Sequence, residues 1–115
     1  MHLAVVGLSH RTAPVEVRER LSIPEHHLET SLQSLRSHEQ VLETSILSTC
    51  NRLEIYSLLR HPEDGVEAIR DFLANHSGLA DPDLQPHRFA IHHEEAIKHL
   101  LRVSAGLDSL VLGEG

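Results

Sequence analysis

Two spacings of apolar residues alternate along this chain, one suited to strands and one to helices. Leu3 to Leu8 is a short apolar run followed by polar Ser9 to Thr12, the pattern of a buried strand entering a loop. Val41 to Leu47 and Leu53 to Leu59 are two further runs. Between them, Ser48-Thr49-Cys50-Asn51-Arg52 is polar and rich in turn formers, which predicts an antiparallel pair with a short connection. Along the second run, Leu53, Ile55, Ser57 and Leu59 fall on one face and Arg52, Glu54, Tyr56 and Leu58 on the other. Arg88 to Ile91 is the last predicted strand.

The helical spacing fills the gaps. Ala13 to Leu21 predicts a short helix with Pro14 in its first turn. A second helix is expected from near Ser22, where Ser22 and Glu25 have capping-box spacing and Pro24 suits the first turn. Leu28, Leu32 and Leu35 share its apolar face. Pro62 to His76 carries the stripe Val66, Ile69, Phe72 and Leu73, with Gly78 placed to close the helix. Leu79 to Pro86 reads as a loop. A last helix runs from about Glu94 to Ala105, with Ile97, Leu100, Leu101 and Ala105 as its expected buried face and Gly106 ending it. The order strand, helix, strand-strand, helix, strand predicts an α+β fold on a ferredoxin-like split β-α-β plan. It has about four antiparallel strands with the main helices packed on one face.

Composition narrows the class. The 115 residues suffice for one small domain with a modest core, built mainly from Leu, Ile, Val and Ala because aromatics are scarce. A single cysteine precludes an intramolecular disulfide and suits a reducing compartment, so a cytoplasmic location is expected. No apolar run approaches the roughly 18 residues of a membrane span. The N-terminus lacks the basic region and apolar core of a signal peptide. A formal net charge of -7 argues against a general nucleic-acid binder, since phosphate contacts require clustered Lys and Arg.

The candidate chemistry centres on Cys50. A lone cysteine is most often a small buried hydrophobe. Here it stands in a polar connection at the end of a sheet, with Arg52 two residues away. Cationic surroundings favour thiolate over thiol, and the thiolate is the nucleophile. Arg52 and Glu54 project to one side of their strand, either as a surface ion pair of little worth or as holders of the charged groups of an amino acid. A dinucleotide fingerprint after Val5-Val6-Gly7 fails, because Ser9 and Thr12 stand where glycine is needed. Among the 11 His residues, His93-Glu94-Glu95-Ala96-Ile97 misses the zinc motif at its last position, so no metal is expected.

Four stretches together resemble the N-terminal catalytic domain of glutamyl-tRNA reductase. They are Gly7-Leu8-Ser9-His10-Arg11-Thr12-Ala13-Pro14-Val15-Glu16-Val17-Arg18-Glu19, Leu47 to Tyr56, His99-Leu100, and Gly106-Leu107-Asp108-Ser109-Leu110-Val111-Leu112-Gly113-Glu114. The resemblance spans residues 1–115 and implies the same fold plan. It implies an enzyme of tetrapyrrole biosynthesis in which Cys50 attacks the glutamyl-tRNA ester. The resulting thioester is reduced with NADPH to glutamate 1-semialdehyde. On the same resemblance Thr49, Asn51 and Arg52 hold the glutamyl group, with Arg52 suited to its side-chain carboxylate. Ser109 and Glu114 contact substrate, His99 assists catalysis, and His10 is a weaker site candidate.

The partners implied are glutamyl-tRNA, a second copy in a full-length homodimer, and a downstream aminomutase. A plant member would work in the plastid stroma, although no transit peptide is visible. The final stretch, Leu107 to Gly115, is apolar and stops abruptly, and the family's NADPH-binding and dimerisation domains lie beyond Gly115. Residues 1–115 are therefore expected to bind no cofactor and to lack reductase activity. Two alternatives stay open: a non-enzymatic ligand-binding or regulatory module of the same plan, and a protein-interaction domain that docks partners through its Leu-rich helices.

Overall fold

In the computed structural model, which describes residues 2–104, the strands are β1 (His2–Ser9), β2 (Val41–Ser48), β3 (Arg52–Leu59) and β4 (Phe89–His92). They form one sheet in the order β2-β3-β1-β4, and every neighbouring pair is antiparallel. β1 and β2 thus run the same way with β3 inserted between them, which is the expected split β-α-β plan. β3 is paired on both sides along nearly its whole length, with Gly7 opposite Glu54 and Ser9 opposite Arg52.

Pleating sends alternate residues of β1 and β3 to opposite faces. One face carries Ala4, Val6, Leu8, Leu53, Ile55 and Leu59, all buried in a continuous core. It is covered by α1 (Val15–Leu21), α2 (Leu28–Arg36) and α3 (Pro62–Ser77), which contribute Leu21, Leu35, Ile69 and Leu73. Each such side chain removed from water stabilises the fold by about 2 kcal/mol before the entropy of ordering is counted. α3 has Pro62 in its first turn and ends at Gly78, whose φ of 74° closes the helix through a bond from its amide to the Ala74 carbonyl.

Three expectations change. The second helix does not start at a Ser22 cap. Ser22 instead closes α1, its amide donating to the Arg18 carbonyl at 3.0 Å. Pro24 then opens a 3-10 turn over Glu25–His27, and α2 follows. The proline explains this, since it disfavours helical geometry at Ile23, whose buried side chain and bond to Ser48 Oγ tie it down as extended chain. The expected loop at 79–86 contains a short α4 (Asp81–Leu84), anchored by fully buried Leu84.

The largest change is in α5 (His93–Ser104). Its buried residues are Ala96 and His99, while Ile97, Leu100 and Leu101 are 49%, 43% and 64% exposed. The helix lies across the other face of the sheet, where His99 meets Glu54 of β3 and Phe89 of β4. That face offers a polar centre, so a polar residue is the one that fits it. Ala105 and Gly106 lie outside the described residues.

Candidate functional site

The connection from β2 to β3 is three residues long: Thr49, Cys50 and Asn51. It is held shut by its own polar groups. The Thr49 amide donates to the Arg52 carbonyl at 2.8 Å, and the Asn51 amide donates to Thr49 Oγ1 at 3.2 Å. Two neighbours grip it from outside. The His10 amide donates to the Asn51 carbonyl at 2.7 Å, and Arg18 Nη1 donates to the Cys50 carbonyl at 3.3 Å. The result is an exposed thiol on a backbone that is fixed on both sides. That suits a nucleophile, which must be reachable and yet held in one place.

Behind the turn lies a buried polar network on the α5 face of the sheet. Glu54 has no exposed surface, yet it is a carboxylate. Its Oε2 accepts from Arg52 Nη1 at 3.1 Å and lies 2.8 Å from His99 Nε2, while its Oε1 accepts from Tyr56 Oη at 2.7 Å. A buried carboxylate is tolerated only when paired and hydrogen-bonded in this way. Arg52 is likewise buried, so the surface ion pair considered from the strand alternation is an interior one. Gly7 makes room for the network. A Cβ there would stand 3.0 Å from Glu54 Cα and 3.2 Å from Glu54 Cγ, and closer still to the Leu53 carbonyl oxygen.

Of the candidate residues, Thr49, Cys50 and Asn51 are brought together in one turn, and Arg52 starts the strand that leaves it. Arg52 and His99 meet at Glu54 rather than at Cys50; no hydrogen bond joins His99 to Cys50 among the described residues. His10 reaches the turn through its backbone. Ser109 and Glu114 lie outside the described residues. The sequence offers Glu54, with Arg52, as a possible holder of an amino acid's charged groups, whereas Tyr56 and Arg18 stand out only as members of the resembling stretches. The alternation along β3 puts Glu54 and Tyr56 beside Arg52, but nothing local announces that a helix covers them. Arg18 joins the turn from 32 residues away, and nothing local in the sequence pairs it with Cys50. Among the described residues, no group of three or more His, Cys, Asp or Glu side chains is placed to hold a metal ion.

Comparison with known proteins adds three findings. The family model described as "Glutamyl-tRNAGlu reductase, N-terminal domain" matches residues 6–115. Curated proteins named glutamyl-tRNA reductase match over all 115 residues, at 97% identity in Synechococcus sp. (strain RCC307) and 75% in Parasynechococcus marenigrum (strain WH8102). The match covers 100% of this chain and 26% or 27% of those relatives, so the chain spans about a quarter of their length. A solved structure, glutamyl-tRNA reductase from Methanopyrus kandleri, superposes with a TM-score of 0.69 at 26% identity. That match covers 97% of this chain and 24% of the other.

Proposed function

The chain belongs to the family of the glutamyl-tRNA reductase N-terminal domain, and from that membership we propose that it performs the acyl-transfer half of a tRNA-dependent reduction of glutamate. The observation that carries the proposal is the exposed Cys50 thiol on a turn held by the Thr49, His10 and Arg18 bonds.

The Cys50 thiolate attacks the carbonyl carbon of the ester joining glutamate to tRNA. A carbon–sulfur bond forms, the carbon–oxygen bond to the tRNA ribose breaks, and the leaving ribose oxygen takes up the proton that the thiol gave up, departing as a hydroxyl. A glutamyl thioester remains, which water hydrolyses to glutamate and free thiol unless a reductant intervenes. Thr49 and Asn51 border the thiol and are suited to orient the glutamyl group. Arg52, Glu54 and His99 form one buried hydrogen-bonded unit that starts at the end of the turn. Ser109 and Glu114 complete the assigned substrate contacts.

NADPH is the reductant that the family's reaction implies. The described residues do not fit it. Gly7 lies inside β1 against β3 rather than in a turn that could cradle a pyrophosphate, and the other described glycines, Gly65 and Gly78, belong to α3 and its end. No step through NADPH is assigned to this chain. Glutamyl-tRNA is the proposed partner, with a second copy of the full-length protein and a downstream aminomutase as the further partners that the resemblance implies. Among the described residues, no helix is long and apolar enough to cross a membrane. The single free thiol suits the reducing cytoplasm.

Intact-mass analysis after incubation with glutamyl-tRNA tests the reading. A glutamyl adduct on the wild-type chain and none on Cys50→Ser is the expected result. An adduct that persists in Cys50→Ser, or none on folded wild type, sinks it.

A further inference from the structure

We propose that Arg18 is a positioning residue for the Cys50 nucleophile, an inference that rests on the reading of Cys50 as the attacking thiolate. Arg18 sits in the middle of α1 and sends its guanidinium across to the β2–β3 turn. There Nη1 donates to the carbonyl oxygen of Cys50 itself at 3.3 Å. The other bonds of the turn act on Thr49, Asn51 and Arg52. The peptide plane leaving Cys50 is thus held at both ends, its Asn51 amide by Thr49 Oγ1 from within the turn and its Cys50 carbonyl by Arg18 from outside, and Arg18 is the tie from another element that sets the direction of the Cα–Cβ bond carrying the sulfur.

A second observation separates this from ordinary packing. The Arg18 Nε–H is buried and has no hydrogen-bond partner among the described residues, and no ion pair joins the guanidinium there to a carboxylate. Arg18 also lines a small cavity together with Leu21, Thr49 and Arg52. Arg18 is half-buried and its bond to the Cys50 carbonyl lies at the surface, where one such bond contributes little to the stability of the fold. Arg20, on the same helix, supplies the contrast: it donates to the Ser77 carbonyl, a tie between α1 and the end of α3 that has nothing to do with the turn.

The test uses single-turnover acylation of the chain by glutamyl-tRNA, followed by intact mass, with Arg18→Met, Arg18→Lys and the control Arg20→Met. Arg18→Met is expected to lower the saturating rate constant by about ten- to a hundredfold, the scale on which a misplaced reacting atom is felt. The half-saturating tRNA concentration should stay unchanged. Arg18→Lys should recover part of the rate, and Arg20→Met should acylate like wild type. Acylation by folded Arg18→Met at the wild-type rate overturns the proposal, as does a loss that only tracks its unfolded fraction. Should Arg18→Met not fold, Arg18→Lys decides alone: a reduced rate constant at unchanged half-saturation supports positioning, and a wild-type rate overturns it. If wild type forms no adduct, the reading of Cys50 fails and this inference falls with it; loss confined to the Arg18 variants cannot be confused with that result.

Discussion

His99 Nε2 lies 2.8 Å from Glu54 Oε2, so a helix after the last strand and a strand from the sheet centre are joined through one buried carboxylate. The contact locks α5 onto the face of the sheet that α1 to α3 leave open. Replacing Glu54 by Ala removes the acceptor of Arg52, Tyr56 and His99 in a site closed to water. The expected cost is about 3–5 kcal/mol in urea unfolding, the range for breaking a buried ion pair. Glu54→Gln keeps the shape but not the charge and should cost less. A loss below about 1 kcal/mol for Glu54→Ala would show that the network contributes little.

Gly7→Ala should be damaging although it adds one methyl group. The new Cβ meets backbone of the paired strand, including Glu54 Cα at 3.0 Å, and backbone within a sheet cannot swing aside as a side chain can. Overpacking of this kind costs about 1–3 kcal/mol, with the upper end expected here. An unchanged thermal midpoint for Gly7→Ala would refute the close packing of β1 on β3.

The sheet and its first helices were legible because their signals are local. Alternation in Leu53 to Leu59, the stripe of α3 and Gly78 at its end each follow from a few adjacent residues. Cys50 was placed on a turn for the same reason. What escaped was set by contacts between distant segments. Periodicity points to Ile97, Leu100 and Leu101 as the buried face of α5, and only the polar centre around Glu54 decides that His99 and Ala96 turn inward instead. Ser22 carried a valid capping pattern, but the buried Ile23 and the proline after it overrode it. Arg18 lies in a resembling stretch, but nothing local pairs it with the turn, because its partner is a backbone carbonyl on another element.

The orientation of α5 can be checked directly. Leu101→Lys places a charge on a residue 64% exposed and should change stability by no more than about 0.5 kcal/mol. Ala96→Lys, on the buried face, should be severely destabilising. Equal losses in the two variants, read by chemical denaturation, would mean that the outward face of α5 is covered.

At the opposite end of β1 the structure makes a prediction about acid. His2 Nε2 lies 2.6 Å from His92 Nδ1, and the His2 ring packs edge-on against His93 with centroids 3.9 Å apart. One neutral ring must donate to the lone pair of the other, so a proton on both destroys the bond. Burial first, then the neighbouring His93 and His92, lower the His2 pKa below its usual 6.5. The sign follows from proton counting. Between the lowered value and 6.5 the unfolded chain binds more protons than the folded one, so stability rises with pH in that window. The contribution is fully present above pH 6.5 and is lost as the pH falls through the folded value. Because the chain carries 11 His residues, the useful readout is a difference. The thermal midpoint of wild type should fall more steeply than that of His2→Gln between about pH 7.5 and about pH 5.5, with the two curves closest at the acid end. Parallel curves across that range would mean that the His2 contact with His92 and His93 contributes nothing to the acid sensitivity of the fold.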